Sequence, residues 1–137
     1  MSEENKAVVR GLHEAIGKGD VAAIDRFYSP DAIYHGTGDM ANADIDTFRQ
    51  FISAIFEAFP GLSVTQELVL SDGDKVTYIN TYSGTHKGDF MGIPATGKDI
   101  SVRSIGIAQV SRGQIVEEWE NLDELGLMQQ LGVIPTE

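Results

Sequence analysis

The residues of this 137-residue chain that could do chemistry are carboxylates, three histidines, tyrosine phenols and one tryptophan. Cysteine is absent, which removes disulfides, thiolate metal sites and cysteine nucleophiles together. Asp123 is the first candidate for a catalytic acid/base. A carboxylate facing an apolar cavity is desolvated, which lifts its pKa toward neutrality and lets it both take and return a proton. Residues two apart on a strand point the same way, so Ile115, Glu117, Trp119 and Asn121 share one face and lead to Asp123. A tryptophan among polar groups at that spacing suits a pocket wall, and Val116, Glu118, Glu120 and Leu122 take the other face. Asp123 also stands immediately before Glu124-Leu125-Gly126-Leu127, where a helix N-cap is expected, so two roles are open to it.

His35 and His86 each end a strand that could line the cavity, where an imidazole could orient a carbonyl or hold a proton. Either could equally be a satisfied structural residue. Their spacing with Asp123 matches no helical metal motif, so no metal is expected. His13 falls in the first helix and is expected to be solvated, as are the acidic pairs Glu3-Glu4 and Glu117-Glu118. Tyr34, Tyr78 and Tyr82 offer phenol donors, with Tyr78, Asn80 and Tyr82 on one strand face. No glycine-rich phosphate loop and no GxSxG nucleophile motif occurs, which leaves a cofactor-free reaction as the simplest enzymatic reading.

These residues need elements to position them. Val8, Val9, Leu12, Ala15 and Ile16 recur at three and four, which predicts a helix over 3–18. A second helix is expected from Val21 to Phe27, with Asp20 as its cap, then a turn at Ser29-Pro30-Asp31 and a short strand from Ala32 to His35. Asp44 or Asp46 caps a third helix, whose stripe of Phe48, Phe51, Ile52, Ile55, Phe56 and Phe59 reads as a core ridge. Strands follow: one with Val64, Gln66, Leu68 and Leu70 on a single face, one from Lys75 to His86, and a hairpin of 100–110 with 115–121. The connection from Lys87 to Asp99 is long for a compact domain, and such loops are more often functional than idle. A short helix over 124–131 closes the chain. Helices first and strands afterwards predict an α+β fold, one domain over 1–137, with a cone-like curved antiparallel sheet around the N-terminal helices and a pocket on its inner face.

Twenty-one acidic against ten basic residues give a net charge of −11, and the cations are scattered. Nucleic acid and anionic membrane are therefore not expected as partners. No apolar run nears the roughly 20 residues that span a bilayer, and the acidic start MSEENKAVV lacks a signal-peptide layout, so a cytoplasmic location is expected.

The stretch Gly84-Thr85-His86-Lys87-Gly88-Asp89-Phe90-Met91-Gly92-Ile93-Pro94-Ala95-Thr96-Gly97-Lys98 resembles the GTHxGxFxGIPxTGK signature of SnoaL-like polyketide cyclases. Gly113 to Trp119, followed by Asp123 and Leu127-Met128-Gln129-Gln130-Leu131-Gly132, is similar to that family's closing strand and helix. Ser29-Pro30-Asp31 with Tyr34-His35, and Ala58 to Leu62, extend the likeness over nearly the whole chain. The resemblance implies the cone fold shared with nuclear transport factor and ketosteroid isomerase proteins. It also implies ring closure of a carbonyl-rich hydrophobic molecule by intramolecular aldol condensation, without metal or cofactor. It places Asp123 as the acid/base with His86 beside it, and His35, Trp119, Tyr34, Asn80 and Phe90 as pocket residues. One departure is Ile79-Asn80, where the family often carries Arg followed by an aromatic residue, and this alters how a carbonyl would be held. The fold also implies a homo-oligomer. Isomerase or hydratase chemistry on a smaller substrate, and a non-catalytic ligand-binding or dimerisation module, are the competing readings.

Overall fold

The computed structural model describes residues 2–134. Helix α1 (Ser2–Gly17) is followed by α2 (Ala23–Phe27), strand β1 (Tyr28–His35), a 3-10 turn at Gly38–Met40 and α3 (Ile45–Ala58). Four strands come next: β2 (Ser63–Asp72), β3 (Lys75–Thr85), β4 (Asp99–Ser111) and β5 (Gln114–Leu122). Helix α4 (Glu124–Leu131) ends the described chain. The strands form one curved, unclosed sheet in the order β1-β5-β4-β3-β2, with the helices on its inner side. Every neighbouring pair is antiparallel except β1 with β5, which run parallel. The expected α+β cone is present, with that one parallel edge as its departure.

Local chemistry explains the boundaries. Val9, Leu12 and Ile16 bury one stripe of α1. Asp44 caps α3, its side chain accepting from the Thr47 N–H at 2.8 Å. Asp20 does not cap α2; its carboxylate pairs with Arg26, and Ala22 holds the cap position. Ser29-Pro30-Asp31 belongs to β1 and not to a turn before it, because irregular pairing between Tyr28 and Ile33 absorbs the proline.

Two bulges set which side chains face the helices. On β5, Ile115 pairs with Val110 and Glu117 with Gln109, so Val116 is an extra residue. Parity changes there, and Ile115, Glu118, Glu120 and Leu122 face inward while Glu117, Trp119 and Asn121 face out. The face expected to line a pocket is thus the outer one. The same happens on β2, where Glu67 has no partner between Gln66 and Leu68. Val64 and Val69 reach the core, and Leu68 and Leu70 are exposed. Strand β4 has no bulge before its end and alternates regularly, with Val102, Ser104, Gly106 and Ala108 inside.

Candidate active site

Between the sheet and α3 lies a cavity of about 260 Å³. Its apolar walls come mainly from the α3 stripe, with Phe48, Ile52, Ile55 and Phe59 among them, together with Phe90 and Leu127. The expected core ridge is therefore also the ceiling of a hollow. Among the described residues no Lys or Arg lines it, and the ionisable groups that do are Glu118 and Glu120 from β5, His13 from α1, Tyr28 and Tyr34 from β1, Tyr82 from β3, and Glu124.

The two inner carboxyl groups are held by phenols. Tyr28 and Tyr78 hydroxyls both donate to Glu118, one to each oxygen. Tyr34 donates to Oε1 of Glu120 at 2.8 Å, and Tyr82 and Ser104 donate to Oε2 at 2.8 and 2.6 Å. Tyr78 reaches Glu118 by lying across β4, which it can do because residue 106 is glycine. A Cβ there would sit 2.3 Å from the phenol oxygen. Asn80 is buried beside this network, accepting from Gln66 and donating to the Tyr82 oxygen at 3.2 Å.

Burial dominates the electrostatics. Glu118 is 1 % exposed. Desolvation, and then the charge of Glu120, push its carboxyl up to about 8, against the counteracting hydrogen bonds of Tyr28 and Tyr78. Burial, reinforced by the carboxylates, raises all four phenols well above their ordinary value, so they remain protonated donors. A carboxyl group tuned near neutrality in an apolar hollow can accept and return a proton at ordinary pH. Neither glutamate was expected inside; the signal for them was the Glu118/Glu120 spacing, read on the wrong face.

The expected site residues divide. Tyr34 and Phe90 line the cavity and Asn80 supports it. Asp123 does not reach it. Its side chain is exposed and caps α4, Oδ1 accepting from the Gly126 N–H at 2.9 Å, and of its two open roles the geometry serves capping. Because residue 123 continues the parity of Glu117 and Trp119 beyond the bulge, it borders an open hollow on the outer sheet face. Trp119, 36 % exposed, and His35 lie on that face as well, their rings stacked at 5.4 Å. His35 Nε2 pairs with Glu117 at 2.7 Å, and this contact raises the imidazole's pKa.

His86 is buried outside the cavity lining. Its Nδ1 accepts from the Thr96 N–H at 3.2 Å, its ring stacks on Phe59 at 5.3 Å, and its main chain pairs with Gly97 and Lys98. It pins the base of the 87–98 loop and backs the cavity wall through Phe59 without lining the hollow itself. His13, expected to be solvated, is instead 4 % exposed and lines the cavity.

Comparison with known proteins places this architecture. Among curated proteins none matches the chain. TsrD from Streptomyces laurentii is 31% identical, with a TM-score of 0.79 over 93% of this chain and 97% of TsrD. IdmH from Streptomyces antibioticus, a proposed polyketide cyclase, is 28% identical, with a TM-score of 0.83 over 94% of this chain and 99% of IdmH. AclR from Streptomyces galilaeus, a proposed hydroxylase, shares the fold at 24% identity, with a TM-score of 0.90 over 98% of this chain and all (100%) of AclR. The profile of the SnoaL-like polyketide cyclases matches residues 6–131, nearly the full length, and the chain belongs to that family.

Proposed function

We propose that the protein is a proton-transfer enzyme of the polyketide cyclase type, acting without a cofactor on a compact, uncharged carbonyl compound in the inner cavity. The observation that carries this reading is the Glu118 carboxyl, raised to about 8 in the wall of an apolar hollow. Family membership supports the reaction class. The absence of Lys and Arg among the described lining residues disfavours a substrate with an ionised acid, which would meet Glu118 and Glu120 unpaired.

In this reading ionised Glu118 removes a proton from the carbon between two carbonyl groups, and the enolate carbon attacks a third carbonyl carbon of the same molecule. A C–C bond forms, and protonated Glu118 returns the proton to the new alkoxide. The walls contribute by holding the two ends together. Tyr34 and Tyr82, already donors to Glu120, stand ready to share their protons with a developing oxyanion.

The volume of about 260 Å³ falls just below the usual range of ligand pockets, roughly 300–1,000 Å³. It favours the small end of the substrate range, and with it isomerisation or hydration by the same carboxyl as a second reading. Asp123 alone, outward and capping, would have left only a binding module.

The test is α-hydrogen exchange of ethyl acetoacetate in D2O, followed by NMR. The wild type is expected to catalyse exchange, rising with pH toward about 8, and Glu118→Gln to lose at least about a hundredfold. Exchange by the wild type at the solution rate, with the ester bound, would leave the binding module as the correct description.

A further inference from the structure

His13 is a cavity group that the proton transfer described above leaves unused. Its Nδ1 lies 2.9 Å from the Gln66 amide nitrogen and 2.9 Å from the Val9 carbonyl oxygen. It cannot accept from the first and donate to the second at once, so the ring's tautomer depends on the network behind Gln66.

That network can be oriented from its acidic end. Three hydroxyls converge on Glu120, and a carboxylate only accepts. The single proton of Tyr82 therefore goes to Glu120, and its oxygen receives the Asn80 N–H at 3.2 Å. This turns the Asn80 carbonyl toward Gln66, which meets it with an N–H at 3.0 Å. The other Gln66 N–H points at His13 Nδ1, which is then the unprotonated ring nitrogen. Reversing the Gln66 amide would set two carbonyl oxygens against each other. It would also gain nothing at the far end, where the buried Oε1 has no partner. Burial keeps the imidazole neutral by lowering its pKa, against the pull of Glu120. One proton remains for the ring, and it belongs on Nε2, which no hydrogen bond among the described residues engages.

We propose that His13 presents Nε2–H to the cavity as a fixed hydrogen-bond donor to a substrate oxygen, its tautomer set from Glu120 through Tyr82, Asn80 and Gln66. The inference rests on the inner cavity being the substrate site. A neutral imidazole donor stabilises developing negative charge without giving up its proton, so the site would fix two oxygens of the substrate, one near the phenols and one at α1. Dicarbonyl and hydroxycarbonyl compounds meet that demand.

The experiment is long-range ¹H–¹⁵N NMR of the full-length chain with ¹⁵N-labelled histidine, with and without ethyl acetoacetate. The expected result is the Nε2–H tautomer in the free protein, conversion to Nδ1–H in Gln66→Leu, where the Val9 carbonyl is left as the partner, and a shifted Nε2 resonance on adding the ester. A wild-type Nδ1–H tautomer overturns the inference, as does an Nε2 signal unmoved by a bound ester. His13→Phe is expected to slow exchange about a hundredfold, mainly in kcat; unchanged exchange would remove His13 from the reaction. The tautomer is read without turnover, so a failure of Glu118→Gln to matter would sink the proton-transfer reading and leave this result distinct.

Discussion

Glu118 is surrounded by groups that pull its proton affinity in opposite directions. Two phenols stabilise its charge, whereas burial and the neighbouring Glu120 oppose it, and the opposing side prevails. Asp123 has a different task. Its carboxylate satisfies a helix N–H in contact with solvent, so Asp123→Ala is expected to cost about 1 kcal/mol of stability, read in a urea titration, and to leave ethyl acetoacetate exchange intact. The choice between these two carboxylates was not legible in the alternation of side chains, because one inserted residue, Val116, reverses the face for everything after it. The clue that does survive in the sequence is the pairing of Glu118 and Glu120 at a spacing of two, in a chain with four tyrosines. His13 was legible too: with Val9, Leu12 and Ile16 it completes a stripe at i, i+3, i+4 and i+7.

At the scale of elements, the parts with a strong period were readable: α1, α3, the β4–β5 hairpin and α4. Bulges and the parallel β1–β5 edge were not, since both depend on partners distant in the chain. The most recognisable block, Gly84 to Lys98, builds a loop. Its His86 anchors the loop base, and Gly88 passes so close to the end of α3 that a Cβ would lie 2.6 Å from the Glu57 carbonyl oxygen. Of its residues, Phe90 and Met91 border the cavity. A less conspicuous glycine matters more to the chemistry. Gly106→Ala would force Tyr78 off Glu118, so thermal unfolding is expected to show a loss of about 1–3 kcal/mol, with Tyr78 ring resonances displaced.

For the whole molecule, the fold encloses an acidic hollow inside an acidic protein, of net charge −11, and its stability should register that choice. The folded Glu118 carboxyl is raised to about 8 from an ordinary 4.5, so between those values the folded state holds a proton that the unfolded chain has released. Stability is then fully supported below pH 4.5 by this group and declines as pH rises through about 8. Removing the group should flatten that decline. Unfolding free energies of Glu118→Gln and wild type are expected to diverge in favour of the variant by on the order of a few kcal/mol at the alkaline end. No helix among the described residues is long and apolar enough to cross a membrane.

The most direct measurement is a ¹³C NMR titration of the Glu118 side-chain carboxyl in the intact protein. Half-protonation near pH 8 is the predicted result, with that transition missing in Glu118→Gln and unmoved in Asp123→Asn. A midpoint close to 4.5 would mean that the inner carboxyl is an ordinary acid, and the cavity would lose its proton carrier.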